Sequence, residues 1–122
     1  MKIHPVSNYL AFISPVVESG GFVFTAAIPR EPETLRIPET FREQVELTFA
    51  NLSSALGAAG TSVEKLVKVN VYLGDIQNWA EFNTLYEKFV SQAQPPMRVA
   101  MQVALNNAYM VEIDVIAEAG GA

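Results

Sequence analysis

The spacing of apolar residues predicts a long amphipathic helix near the middle of the chain. Apolar side chains recur every three or four residues, at Phe41, Val45, Phe49, Leu52, Leu56 and Ala59. Thr40 stands three residues before Glu43, which is the spacing of a capping box, and Gly60 is a typical residue just beyond a helix end. We therefore expect a helix over Thr40–Ala59.

A second apolar stripe predicts a shorter helix. Its members are Trp79, Phe82, Leu85, Tyr86 and Phe89. Asn78 and Glu81 repeat the capping-box spacing, so we expect this helix to begin at Asn78. Pro95 and Pro96 end the region and force an extended entry into the next strand.

Short runs of alternating or continuous apolar character predict strands on both sides of these helices. Gly20 and Gly21 form a turn signal between the first two runs, which indicates a hairpin. Asn106 and Asn107 form a turn between the last two, so we expect a second hairpin there. The predicted strands are Leu10–Val17, Phe22–Ile28, Val67–Leu73, Met97–Ala104 and Tyr109–Ala117.

The resulting order, ββαβαββ, predicts an α+β fold with both helices packed on one face of a mixed sheet. The 122 residues suffice for one domain, 1–122. The other sheet face would remain uncovered, and a mean hydropathy of +0.20 is high for a lone domain of this size. Both observations favour an oligomer that buries apolar surface between subunits.

Composition and charge exclude several classes of function. A net charge of −5 without a Lys/Arg cluster argues against a nucleic-acid partner. With no cysteine and only His4, expected to be a flexible terminal residue, the usual metal sites are excluded. No phosphate-binding or cofactor motif is present, so we expect no cofactor. No apolar run approaches the ~18 residues of a membrane span, and we expect a cytoplasmic protein.

Three polar positions are candidates for chemistry. Arg98 lies one residue into a strand that is otherwise apolar apart from Gln102, so either an anionic ligand or a carboxylate of the same sheet should meet it. Glu112 and Asp114 share one strand face, and across the expected hairpin one of them could reach Arg98. Such a carboxylate would stay ionised and could deprotonate a water. The alternative is two solvated acids on a strand edge.

Asn83 interrupts the apolar stripe of the second helix. Its amide binds either a backbone group or a ligand in a pocket.

The order and spacing of several motifs resemble one protein family across about residues 13–117. The similar segments are Pro15, Thr25–Pro29, Leu56–Gly60, Val67–Asp75, Phe82–Phe89, Pro96–Arg98 and Val111–Ala117. Together they resemble the RidA/YjgF family of reactive intermediate deaminases.

This resemblance implies a chorismate-mutase-like fold and a homotrimer with ligand clefts between neighbouring subunits. It also implies hydrolysis of 2-enamino and 2-imino acids, such as 2-aminoacrylate, to 2-keto acids and ammonia, without a metal or organic cofactor. By the same resemblance, Arg98 would bind the substrate carboxylate, Glu112 would place the attacking water, and Asn83 would lie near the cleft.

The chain departs from the family pattern at three pocket positions. Val16 replaces a tyrosine, Ala26 lies where the family carries a serine, and Ala100 replaces a cysteine whose backbone groups stay available to a substrate. The resemblance therefore implies an apolar cleft and an altered specificity for bulkier or more apolar acids. The alternative function is a trimer that binds a small carboxylate without catalysis. RNA cleavage, attached to some relatives, is disfavoured by the acidic charge.

Overall fold

The computed structural model describes residues 1–5 and 10–120, which form a six-stranded mixed sheet and two helices. The strand order across the sheet is β1-β2-β3-β6-β4-β5. In chain order the elements are β1 (Lys2–His4), β2 (Val16–Ser19), β3 (Phe22–Ala27), α1 (Phe41–Ala58), β4 (Leu66–Leu73), α2 (Trp79–Phe89), β5 (Met97–Gln102) and β6 (Val111–Glu118).

The capping signals predicted α1 correctly. The hydroxyl oxygen of Thr40 accepts a hydrogen bond from the backbone N–H of Glu43 at 3.2 Å, and its O–H donates to the Glu43 carboxylate at 2.8 Å. The helix ends at Ala58, and Gly60 follows with φ +78°, a conformation that glycine adopts without a steric cost. The buried face of α1 carries the predicted apolar residues against the sheet.

The start of α2 agrees with the prediction in position but not in its capping bond. A short 3₁₀ turn, Ile76–Asn78, precedes the helix, and the carboxylate of Asp75 accepts from the N–H of Gln77 at 2.9 Å. Asn78 makes no side-chain capping bond. Asn78 is the N-cap residue as predicted, but the predicted capping bond is absent because the chain is already turning two residues earlier.

The two predicted hairpins have different outcomes. The first is confirmed at its turn: β2 and β3 pair antiparallel around Gly20 and Gly21, both with positive φ. The predicted strand Leu10–Val17 is wrong over residues 10–15, and β2 is Val16–Ser19. The second is wrong, because β4 lies between β5 and β6. β5 pairs parallel with β4, and β6 runs antiparallel to both β3 and β4. The turn at 106–108 therefore leads β6 into the middle of the sheet rather than beside β5.

The N-terminal residues form a strand that the sequence pattern did not predict. β1 pairs antiparallel with β2, and its His4 is 9% exposed. The His4 Nε2 atom lies 3.0 Å from the Glu18 carboxylate. The expectation of a flexible His4 is therefore wrong: a polar partner across the strand pair accounts for its burial.

The two sheet faces are unequal, as predicted. Both helices pack on one face, where the core collects the buried residues of α1, Phe82 of α2 and alternate residues of β3, β4 and β6. The opposite face, here called the open face, carries Phe22 and Phe24, each 40% exposed, beside half-buried polar residues of β4 and β6. The predicted α+β class is confirmed.

Candidate active site

Arg98 lies on β5 with its side chain on the helix-covered face of the sheet, where it pairs in register with buried Val69. Its Nη1 donates a hydrogen bond to the Asn83 side-chain oxygen at 2.7 Å. The guanidinium carbon lies 4.8 Å from the ring centroid of Tyr86 and 5.2 Å from that of Trp79. These contacts from α2 hold the half-buried guanidinium in place.

Arg98 contacts the side-chain amide of Asn83 and aromatic rings of α2 rather than a carboxylate. Within residues 1–5 and 10–120, no carboxylate lies within ion-pair distance of this guanidinium. The alternative of a same-sheet ion pair is therefore wrong. Asn83, for which the sequence left two roles open, holds the arginine. An anchored cation with no anionic neighbour is suited to bind a carboxylate ligand.

The sequence pattern did not predict the aromatic contacts of Arg98. The pattern grouped Trp79, Phe82 and Tyr86 in one apolar stripe, and Phe82 is indeed buried in the core at 1% exposure. Trp79, however, is 41% exposed and faces the guanidinium. Burial raises the pKa of Tyr86, while the Arg98 charge acts in the opposite direction.

Glu112 and Asp114 lie on the open face of β6, opposite Tyr72 and Asn70 of β4 in register. The Asp114 carboxylate accepts from the Asn70 amide at 2.8 Å and from the Tyr72 hydroxyl at 2.5 Å. The bond from Tyr72 is the main reason that the pKa of Tyr72 is raised to about 12.

Glu112 has a perturbed carboxyl group. Burial, followed by the charge of Asp114, raises its pKa above the usual 4.5. Both acids are half-buried on a strand in the middle of the sheet, so the interpretation as solvated acids on a strand edge is wrong. A carboxylate of raised pKa is a better proton acceptor than an exposed one.

One chain does not bring Arg98 and Glu112 together. The expected contact across a β5–β6 hairpin is wrong because β4 separates the strands and the two side chains project from opposite faces. Ala100 follows Arg98 on the same face of β5, half-buried against the core beside Val71. Its methyl group adds apolar surface two residues along the strand from Arg98.

Val16 and Ala26 line a cavity at the other end of the sheet. Its volume is about 610 Å³, and it lies beside α1 and β3. Ala26 also lines a second cavity of about 380 Å³ on the open face, together with Asp114. Arg98 and Glu112 line neither cavity. The predicted pocket residues therefore fall into two groups within one chain, Arg98 with Asn83 and Ala100, and Val16 with Ala26.

The described part of the chain holds neither a metal-binding cluster nor a membrane-spanning helix. There, no three His, Cys, Asp or Glu side chains are grouped so as to hold a metal ion. Across those residues, no helix combines the length and the apolar character that crossing a bilayer requires.

The fold and these motifs define the family. A family model described as endoribonuclease L-PSP matches residues 3–119. The chain therefore belongs to this family, which is the RidA/YjgF family that its motifs resemble.

Similarity to individual relatives supports the assignment of the chain to this family. TdcF of Escherichia coli, provisionally named a reactive intermediate deaminase, is 36% identical over 105 residues, which are 83% of this chain and 81% of TdcF. The crystal structure of TdcF with bound serine has a TM-score of 0.89 and 32% identity, covering 97% of this chain and 98% of that one. The mitochondrial protein MMF1 of Saccharomyces cerevisiae is 31% identical over 119 residues, 93% of this chain and 82% of MMF1.

Proposed function

We propose that this protein is a deaminase that hydrolyses 2-enamino and 2-imino acids to 2-keto acids and ammonia. The observation that carries the proposal is the Arg98 guanidinium, oriented by Asn83 and by aromatic rings with no carboxylate partner among the described residues. The family membership and the deaminase name of TdcF support it. A relative that binds serine supports a small carboxylate as the ligand.

We propose that the active site forms between subunits of a homotrimer. Arg98 and Glu112 project from opposite faces of one sheet, so a single small substrate cannot contact both within one chain. The substrate would therefore meet Arg98 of one subunit and Glu112 of a neighbour. Apolar side chains on the open face supply surface for such an assembly; they include Phe22, Phe24, Met97, Val99 and Met101, each about 40–55% exposed.

The proposed hydrolysis requires mainly that the substrate and the attacking water are held in position. The two outer N–H groups of Arg98 would bind the substrate carboxylate as a pair of charge-assisted hydrogen bonds. Glu112 would accept a proton from a water whose oxygen attacks the C=N carbon, forming a carbinolamine. Glu112 returns that proton to the nitrogen, which completes the carbinolamine. Transfer of the hydroxyl proton to the amino nitrogen then breaks the C–N bond, so that ammonia leaves and the C=O of the keto acid forms. An enamine first takes a proton on carbon and loses one from nitrogen to become the imine.

The apolar side chains of Val16, Ala26 and Ala100 indicate the substrate class. Ala26 and Ala100 would line the cleft with methyl groups where polar groups could otherwise hydrogen-bond a small polar substrate. Val16, 1% exposed, would add apolar packing behind them and no hydroxyl group. We propose that the preferred acids carry apolar side chains longer than that of 2-aminoacrylate.

The decisive experiment measures ammonia released from 2-imino acids that an amino-acid oxidase generates in situ. We expect release above the rate in buffer, abolished in Arg98→Ala and strongly reduced in Glu112→Gln. Arg42→Ala and Glu118→Gln, at exposed positions, serve as controls and should keep the wild-type rate. Saturable binding of keto acids that depends on Arg98 without turnover would instead support a non-catalytic binding protein. A protein that neither releases ammonia nor binds keto acids would exclude both the deaminase function and the binding function.

Two further expectations belong to this proposal. The family description names RNA cleavage, but the net charge of −5 disfavours binding to a phosphate backbone. An RNA-degradation assay on nuclease-free protein should therefore show no cleavage. We also propose a cytoplasmic location. Because the relative MMF1 is named as mitochondrial, cell fractionation is the direct test of this location.

A further inference from the structure

The cavity beside α1 and β3, here called the α1–β3 cavity, has the size of a small-molecule site. Its volume of about 610 Å³ falls in the range of roughly 300–1,000 Å³ that such sites occupy. Apolar residues from four parts of the chain line it, among them Ile13, Val16, Ala27, Leu35, Ala55 and Ala58. The walls are suited to an aliphatic or aromatic group.

A half-buried cation lies in the same cavity wall. The Arg30 guanidinium donates from Nε to the Tyr109 hydroxyl at 2.8 Å and from Nη1 to the Leu35 carbonyl at 3.0 Å. Both acceptors are neutral. Neighbouring Glu31 also lines the cavity, but among residues 1–5 and 10–120 no carboxylate forms an ion pair with Arg30. The positive charge is therefore not neutralised by the described part of the chain.

The position of Arg30 relative to the apolar walls is fixed by α1. The side-chain amide of Asn51 donates to the carbonyls of Ile28 and Arg30 at 2.9 and 3.0 Å. The ring of Tyr109, 5.5 Å from the guanidinium carbon, restrains the other end of the side chain. A site that is already ordered binds its ligand at a lower entropic cost.

We propose that the α1–β3 cavity binds an amphipathic organic acid, with its carboxylate paired to Arg30 and its hydrocarbon chain packed against the apolar walls. The proposal goes beyond the deaminase activity because Arg30, rather than Arg98, binds the carboxylate. The cavity shares Val16 and Ala26 with the proposed substrate cleft but includes neither Arg98 nor Glu112. A bidentate pair between a guanidinium and a carboxylate supplies the polar end, and burial of methylene groups supplies the rest.

The test is calorimetric titration of the full chain with hexanoate and octanoate. Each buried methylene should tighten binding about fourfold, so octanoate should bind about fifteenfold more tightly than hexanoate. Equal affinities for the two acids, or no binding of octanoate, would overturn the proposal.

Two variants test the two ends of the site separately. Arg30→Gln should weaken octanoate binding by about tenfold or more, whereas Arg42→Gln, at an exposed arginine of α1, should not. Ala55→Phe fills the cavity while leaving the guanidinium intact, and it should abolish the difference between the two acids. Ala50→Phe, on the exposed side of the same helix, should preserve that difference. Wild-type affinity in both Arg30→Gln and Ala55→Phe would contradict the assignment.

Arg98→Ala separates this proposal from the deaminase function. It should abolish ammonia release and leave octanoate binding unchanged, because Arg98 is not part of the cavity. Loss of octanoate binding in Arg98→Ala would place the acid in the proposed substrate site and overturn the inference. Octanoate binding without ammonia release from wild type would refute the deaminase function alone.

Discussion

Replacing Asp114 by asparagine tests the electrostatics of the open face. The substitution keeps the shape of the side chain but removes the charge that accepts hydrogen bonds from Tyr72 and Asn70. Asp114 is the largest cause of the shift of the Tyr72 pKa from 10.0 to about 12. We therefore expect the Tyr72 pKa to fall by roughly one to two units in Asp114→Asn, since the tyrosinate no longer faces a carboxylate.

The same shift predicts how stability depends on pH. The folded state holds the Tyr72 proton up to about pH 12, whereas the unfolded chain releases it near pH 10. The stabilisation is thus complete below pH 10 and is lost as the pH rises towards 12. Because Tyr72 is only partly buried, solvent screening should reduce this contribution to roughly 1 kcal/mol, below the ~3 kcal/mol that the full change in pKa would give. The stability advantage of wild type over Asp114→Asn should shrink across this pH range.

The assay is a ¹³C NMR titration of labelled tyrosine, combined with denaturant unfolding at several pH values. The chain contains four tyrosines, so Tyr72→Phe identifies the relevant resonance. Glu118→Gln, at the exposed end of the same strand, is the control and should leave the Tyr72 pKa unchanged. An identical Tyr72 pKa in wild type and Asp114→Asn would refute the role assigned to Asp114.

Three further predictions concern stability and assembly. Gln44→Leu should lower the free energy of unfolding by about 3 kcal/mol or more, because buried Gln44 bonds three backbone groups, including the N–H of Met110. Thr40→Ala should cost about 1 kcal/mol through loss of the helix cap on Glu43; both are measured by denaturant unfolding. Phe24→Glu should reduce the mass seen by light scattering from three chains to one, because it places a charge on the proposed subunit interface.

Matched substitutions control for these three effects. Gln77→Leu and Thr34→Ala alter exposed residues outside the helices and should change the free energy of unfolding by less than about 0.5 kcal/mol. Ala50→Glu adds a charge on the outer side of α1 and should keep the wild-type mass. The stability predictions would be contradicted if Gln44→Leu or Thr40→Ala unfolded at the same denaturant concentration as wild type. The assembly prediction would be contradicted if Phe24→Glu kept the wild-type mass.

Local signals predicted those parts of the fold that neighbouring residues determine. The helix α1 was predicted almost to the residue, because its cap and its apolar spacing lie within the helix itself. The turn of the β2–β3 hairpin at Gly20 and Gly21 is also local and was predicted, whereas the first strand was predicted over Leu10–Val17 and lies at Val16–Ser19. β1 was missed because three residues are too few for a periodic pattern, and because its pairing with β2 is a contact between distant parts of the chain.

The candidate site was predicted less completely than the fold. The motif identified Arg98, and the structure gives it a neighbour, Asn83, that was also predicted as a candidate. The expected contact with Glu112 failed because sequence order suggested that the last two strands pair with each other. The pairing of strands depends on how the whole sheet packs against the helices. A local sequence pattern therefore does not predict it. The role of the rings around Arg98 was hidden because aromatic residues on a helix usually mark a core.

The central position of β6 has a consequence for synthesis of the chain. β3 and β4 both pair with this last strand and not with each other, and Phe22 of β3 pairs with Glu118. Until residues 111–118 have left the ribosome, both strands therefore have open edges that could pair with other chains. The nascent polypeptide completes its sheet only after this strand has emerged. A stop codon placed before Val111 should accordingly yield an aggregating product rather than a shortened native protein.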